Sequence, residues 1–167
     1  PRQAVHDSSS VTYPVFTAIA APEVQNKLNG DFAIIAGPYL QNLATGGCEL
    51  DYTLTFVSEK FISMVFFGVL DEGEKEIFAK IPLNIDVQTG AQLALGDVLN
   101  LRDADLLPVL RLLTKKDMVD FSKGIPESWY YNGTNFVFCQ RSETGEWLEA
   151  TVAASDLKKF LLKPELF

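Results

Sequence analysis

A chain of 167 residues with 47% hydrophobic and 22% charged side chains is long and apolar enough to bury its own core, which excludes a disordered segment or a disulfide-dependent miniprotein. Its 22 acidic residues against 14 basic ones give a net charge of -8, which disfavours nucleic acid as a partner and attracts basic ones in a salt-dependent way. No apolar run reaches the ~18 residues of a membrane helix, so a membrane is expected only through an anchor outside this sequence.

Residues 1–10, PRQAVHDSSS, are polar and read as a flexible lead-in, with a single domain over 11–167. Residues 11–19 alternate as a strand, and Pro14, which has no amide donor, places it at an edge or a strand start. After Pro22, the residues Val24, Leu28, Phe32, Ile35, Tyr39 and Leu43 recur at helical spacing, predicting a long helix ended by Gly46-Gly47 and either weakened or kinked at Gly30 and Gly37-Pro38, or broken near Gly37. Residues 49–57 put Leu50, Tyr52, Leu54 and Phe56 on one face and Asp51, Thr53 and Thr55 on the other, the pattern of a half-buried strand. Residues 61–70 are apolar on both faces and read as a central strand, followed by an acidic turn over 71–74 and a third strand over 77–87.

A turn at Gln88-Thr89-Gly90 leads to Leu93 and Leu95, and Asp97 is expected to open a short helical turn. Asp105 suits the N-cap of a helix carrying Leu106, Leu107, Leu110 and Leu113, with Lys115-Lys116 at its C-terminal end. Asn132-Gly133 marks a turn before a strand over 135–139, and Ser142 to Gly145 turns the chain into a strand over 147–152. Ser155 is placed as the cap of a final helix bearing Leu157, Phe160 and Leu161 and stopped by Pro164. This order is α+β: an antiparallel-rich sheet packed against a long N-terminal helix and two shorter helices.

Chemistry is sparse. The one histidine, His6, falls in the lead-in, without the rigid surround that a general base or metal ligand needs. Neither a GK[ST] phosphate loop nor a dinucleotide fingerprint is present, and Cys48 and Cys139 belong to no CxxC pair. These cysteines form either one disulfide or two buried thiols, and the second reading is preferred because free cysteine packs well in cores. No cofactor, metal or catalytic residue is expected.

Two groups stand out as ligand-binding candidates. Asp71, Glu72 and Glu74 cluster in one turn, where a solvated hairpin tip is the simpler reading. Trp129, Tyr130 and Tyr131 cannot all point into one core from a strand; the preferred reading is that two of them anchor a loop onto the domain, and the alternative is an exposed one that stacks on a glycan or anchors a protein partner.

The run from Asn84 to Leu99, with its pattern Asp-x-x-Thr-Gly-x-x-Leu-x-Leu-x-Asp-Val-Leu, resembles the central motif of a bacterial domain. That domain is shared by RsiV-type anti-sigma factors and the N-terminal region of PdaC-type peptidoglycan deacetylases. The resemblance extends over residues 11–163, taking in Tyr13-Pro14, Asn135-Phe136 and Ala154 to Leu157. It implies a non-catalytic, extracytoplasmic sensing domain of an anchored cell-envelope protein, with a protein ligand such as lysozyme or another basic wall enzyme. The deacetylase side of the resemblance implies an alternative, a glycan-binding accessory module. Many relatives carry Gly-Gly-Ala-His in the preceding hairpin. Here that region reads Gly68 to Glu74 without a histidine, so a recognition role tied to that segment does not carry over.

Overall fold

The computed structural model describes residues 1–19, 21–71, 76–115 and 117–167, and within them the strands divide between two sheets. The larger sheet runs in the spatial order β1 (Arg2–His6), β2 (Ser9–Tyr13), β3 (Cys48–Val57), β4 (Phe61–Asp71), β5 (Glu76–Asp86), β6 (Ala91–Gln92). Every neighbouring pair is antiparallel except β2 and β3, which run parallel through Ser10 opposite Glu49 and Val11 opposite Leu50. The smaller sheet is the antiparallel set β7 (Ser128–Tyr131), β8 (Asn135–Arg141), β9 (Trp147–Ala153). With α1 (Pro22–Asn42), α2 (Leu95–Val98) and α3 (Leu106–Leu113), the architecture is the α+β one expected.

The parallel pair follows from α1, because two parallel neighbours need a crossover between them and a helix supplies it. Leu28, Phe32, Ala36 and Tyr39 are the buried stripe of that helix, and they close over Val11, Leu50, Ile62, Met64, Phe66 and Ile85 of the sheet. The predicted break near Gly37 is not there. Pro38 removes one amide donor and the helix runs on to Asn42, whose side-chain amide donates to the Pro38 carbonyl at 2.8 Å. Tyr39 is accommodated by Gly68 of β4, where a Cβ would meet the phenol oxygen at 2.0 Å.

A second core gathers behind the smaller sheet, from Trp129, Tyr131, Phe136, Phe138 and Val152 with Leu99, Leu106, Leu110, Leu157 and Phe160. Strand β4 serves both cores: Ile62, Met64 and Phe66 face α1, while Phe61 stacks on Trp129 at 6.4 Å between ring centroids. Two buried polar side chains join the sheets. Ser63 and Asn84 face each other across β4 and β5, and the Ser63 hydroxyl donates to Asn84 Oδ1 at 2.7 Å. The same hydroxyl oxygen accepts the Tyr131 amide at 2.8 Å, and Asn84 Nδ2 donates to the Trp129 carbonyl at 2.7 Å. This clasp satisfies backbone groups of β7 that would otherwise be buried unpaired.

Several expectations need correction. The lead-in is not irregular: Arg2–His6 pair with Ser9–Tyr13 around a two-residue turn in which Asp7 takes φ 51. Strand β2 ends at Tyr13, because Pro14 follows and the chain departs towards α1. There Asn29 holds it by accepting from the Phe16 amide (2.8 Å) and donating to its carbonyl (2.9 Å). Phe56 does not share a face with Leu50 and Leu54: a bulge at Thr55 shifts the register from Leu54–Met64 to Phe56–Ser63 and turns Phe56 towards Tyr131, 5.0 Å between centroids. Asp97 sits inside α2 rather than opening it, and its carboxylate takes the Ala94 amide at 2.8 Å. Asp105 precedes α3 without capping it through its side chain, and pairs instead with Lys159 at 3.2 Å. Residues 154–160 form a 3-10 helix, again without a side-chain cap, so Ser155 has no capping role. Lys115 follows the end of α3, whereas Lys116 lies outside the described residues.

Candidate functional site

Alternation along β7 decides the fate of the aromatic triplet. Trp129 and Tyr131, two residues apart, point together into the second core and keep 2% and 4% exposure. Neither is available for stacking on a ligand. Tyr130 points the other way and is half-buried, with its hydroxyl donating to Glu149 Oε1 of β9 at 2.9 Å. Lys80 of β5 reaches the same carboxylate oxygen, and the Cys139 thiol of β8 approaches it at 3.8 Å. The Lys80 ammonium also lies 5.7 Å from the Phe67 ring centroid and 5.5 Å from that of Tyr130.

Three donors on one oxygen form a closed, charge-balanced cluster. Burial first, then the hydrogen bond and the charge of Glu149, hold the Tyr130 phenol well above its ordinary range. Burial likewise pushes the Cys139 thiol up to about 12, against a smaller opposing effect of Lys80. A thiol in that state is protonated at neutral pH and is no nucleophile. Cys48 is buried in the other core with its sulfur 3.2 Å from the Tyr39 carbonyl, so the two cysteines are separate thiols. His6 sits on β1 beside Asp7, at 3.5 Å, with both side chains largely exposed. Among the described residues no group of three or more His, Cys, Asp or Glu side chains is placed to hold a metal ion.

Beside the cluster, the outer face of the larger sheet forms a groove of about 380 Å³ that also borders Trp147 of β9. Its floor consists of two cross-strand rows, Glu49–Val69–Phe78 and Asp51–Phe67–Lys80, each crossing β3, β4 and β5. Phe67 and Phe78 are 45% and 52% exposed, a high figure for two phenylalanines on one sheet face. Glu149 balances Lys80. Among the described residues no ion pair involves Glu49 or Asp51, so the groove carries two uncompensated carboxylates along its β3 flank.

Asp71 lies just beyond the groove, in an adjoining hollow with Glu49, Val69, Glu76 and Phe78, and its amide donates to the Gly47 carbonyl at 2.8 Å. Glu72 and Glu74 lie outside the described residues. Of the sequence candidates, Tyr130 thus borders the site through Glu149 and Lys80, and Asp71 adjoins it. Glu49, Asp51, Phe67, Phe78 and Trp147 were not singled out. Only the solvent-facing alternation of β3 hinted at Asp51.

A second hollow, about 280 Å³, lies between α1 and β5–β6. The Lys27 ammonium at its mouth already donates to Asp31 (2.7 Å) and to the Gly90 carbonyl (2.8 Å), and so offers no free charge to a ligand.

Two sheets joined by a buried clasp, one covered by a long helix and the other by short helices, define the class: an α+β domain with a groove on its larger sheet. That fold is shared with proteins described as members of the DUF3298 family. One, from Pseudomonas aeruginosa PAO1, superposes with a TM-score of 0.58 at 12% identity over 95% of this chain and 84% of its own. Another, from Bacteroides fragilis NCTC 9343, gives 0.53 at 13% identity over 84% of this chain and 66% of its own. No protein-family model and no curated protein matches the sequence.

Proposed function

We propose that the chain is a non-catalytic, extracytoplasmic binding domain of a bacterial cell-envelope protein, which senses a basic protein ligand on the outer face of its larger sheet. The observation that carries this reading is the groove: two half-exposed phenylalanines beside two carboxylates that, among the described residues, form no ion pair. An apolar floor with a charged rim is the anatomy of a protein-binding patch, and its charge suits a basic partner. The net charge of -8 adds long-range attraction for the same class of ligand. The envelope setting is supported by the resemblance of residues 84–99 to the RsiV-type and PdaC-type domains.

The test is calorimetry against lysozyme and other basic wall-active enzymes at low and high salt. Heat of binding at low salt that diminishes at high salt is expected. A folded sample giving no heat with any of them at low salt overturns the reading. The glycan-binding alternative keeps its support from the deacetylase side of the resemblance but loses two of its three candidate stacking residues, since Trp129 and Tyr131 are buried in the second core.

A further inference from the structure

The groove's geometry limits what can occupy it, and this step rests on the reading of that groove as the binding site. Glu49 and Asp51 are two residues apart on β3 and face the same side, so their carboxylates repeat at about 7 Å along the strand. From that flank, each row runs over an apolar middle, Val69 or Phe67. A ligand that fills it must present cations with the same two-residue repeat and must also cover apolar surface.

Lysine and arginine side chains in an extended segment meet both demands. Alternate residues of an extended chain share a face and the ~7 Å repeat. Their methylene stems cover apolar surface while the charged head reaches a carboxylate, and a guanidinium lies well on an aromatic face. The protein already contains one example: Lys80 lies by the Phe67 ring and ends on Glu149.

We infer that the groove binds an extended polypeptide segment bearing two cationic side chains in the pattern Arg/Lys-x-Arg/Lys. One cation meets Glu49 and the other Asp51, with their stems lying over Phe67, Val69 and Phe78. The occupant is a basic segment of a protein, and the middle residue of the pattern faces away from the sheet.

The probe is the peptide acetyl-Gly-Arg-Val-Arg-Gly-amide, titrated to millimolar concentration into isotope-labelled protein and followed by amide chemical shifts. Shifts centred on residues 49, 51, 67 and 78 are expected. Affinity should fall about tenfold in the Glu49→Gln, Asp51→Asn double variant. Affinity should also be weaker for a control peptide with adjacent arginines, Gly-Arg-Arg-Val-Gly. Both exchanged carboxylates are exposed, and a thermal melt of the variant verifies that it is folded.

Shifts located elsewhere, or equal affinity of wild type and folded variant, overturn the inference. Equal affinity for the two peptides overturns the two-residue spacing. A wall enzyme that binds the double variant as tightly as wild type sinks this site while leaving the binding-domain reading intact. A peptide that binds as described while no wall enzyme does leaves the groove assignment standing and overturns the proposed sensing of a basic wall protein.

Discussion

Ser63 and Asn84 show how two small polar side chains can fix the relation of two sheets. The Ser63 hydroxyl is both donor to Asn84 and acceptor for the Tyr131 amide, in a fully buried position. Ser63→Ala leaves that amide and Asn84 Oδ1 without this partner, and is expected to cost about 1–3 kcal/mol in chemical denaturation. Gly68 is constrained by shape instead of polarity, since the Tyr39 ring occupies the place of its missing side chain. Gly68→Ala is expected to destabilise by about 1–3 kcal/mol through overpacking, and a smaller residue at position 39 should recover part of that loss in the double variant. Neither role is visible in sequence. Ser63 interrupts an apolar run and Gly68 looks like an ordinary flexible point, because what each meets comes from residues 21 to 68 positions away.

The segment from Asp86 to Leu99 acts chiefly as a folding element. The Asp86 carboxylate accepts from the amides of Gln88 (2.9 Å) and Thr89 (3.2 Å), and the Thr89 hydroxyl oxygen accepts from Ala91 at 3.2 Å. Gly90 takes φ 66, and a Cβ there would meet Val24 of α1 at 3.0 Å. Leu93, Leu95, Val98 and Leu99 are core residues, and Asp97 holds the Ala94 amide. Gly90→Ala is therefore expected to lower stability by about 1–2 kcal/mol through backbone strain and crowding of α1. Calorimetric melting would measure it, and an unchanged midpoint would contradict this account of the turn. The turn in this motif was legible because Asp86, Thr89 and Asp97 act on near neighbours in the chain. Strand β3 was legible by alternation for the same reason, and β4 by its nearly unbroken apolar run. Strand β1 was not, since its five residues are paired through an Asp7-Ser8 turn that lacks the usual glycine. The bulge at Thr55 was hidden too, because alternation continues across it while the face changes. The groove was illegible at this scale: a strand that is apolar on both faces does not reveal where the second sheet stops covering it.

For the molecule as a whole, two protonated acids in the Glu149 cluster contribute to the response to alkali, alongside Tyr39 and Tyr131, which burial also raises. Cys139 is raised from 9.0 to about 12, and Tyr130 is raised well above 10.0, burial being the main cause in both. Above pH 9 the unfolded chain releases protons that the folded chain still holds, so unfolding is promoted as pH rises. Their stabilising contribution is complete below pH 9 and is lost progressively as pH climbs towards 12. The melting temperature should fall over that window, and less steeply in Tyr130→Phe, which cannot ionise; an equal slope for both proteins would count against this assignment.

Strand β4 lies between two neighbours in the sheet and gives side chains to both cores, whereas β1 pairs on one side only and its side chains are mostly exposed. Translated into hydrogen exchange, the amides of β1 should open by local fraying within seconds to minutes. Those of β4 should exchange only when the entire chain comes apart, at the full free energy of unfolding. If the two sheets instead open as separate cooperative units, β8 and β9 will exchange well before β4. The protection ratio between these strands then becomes a direct reading of how tightly two small hydrogen-bonding side chains couple two halves of one protein.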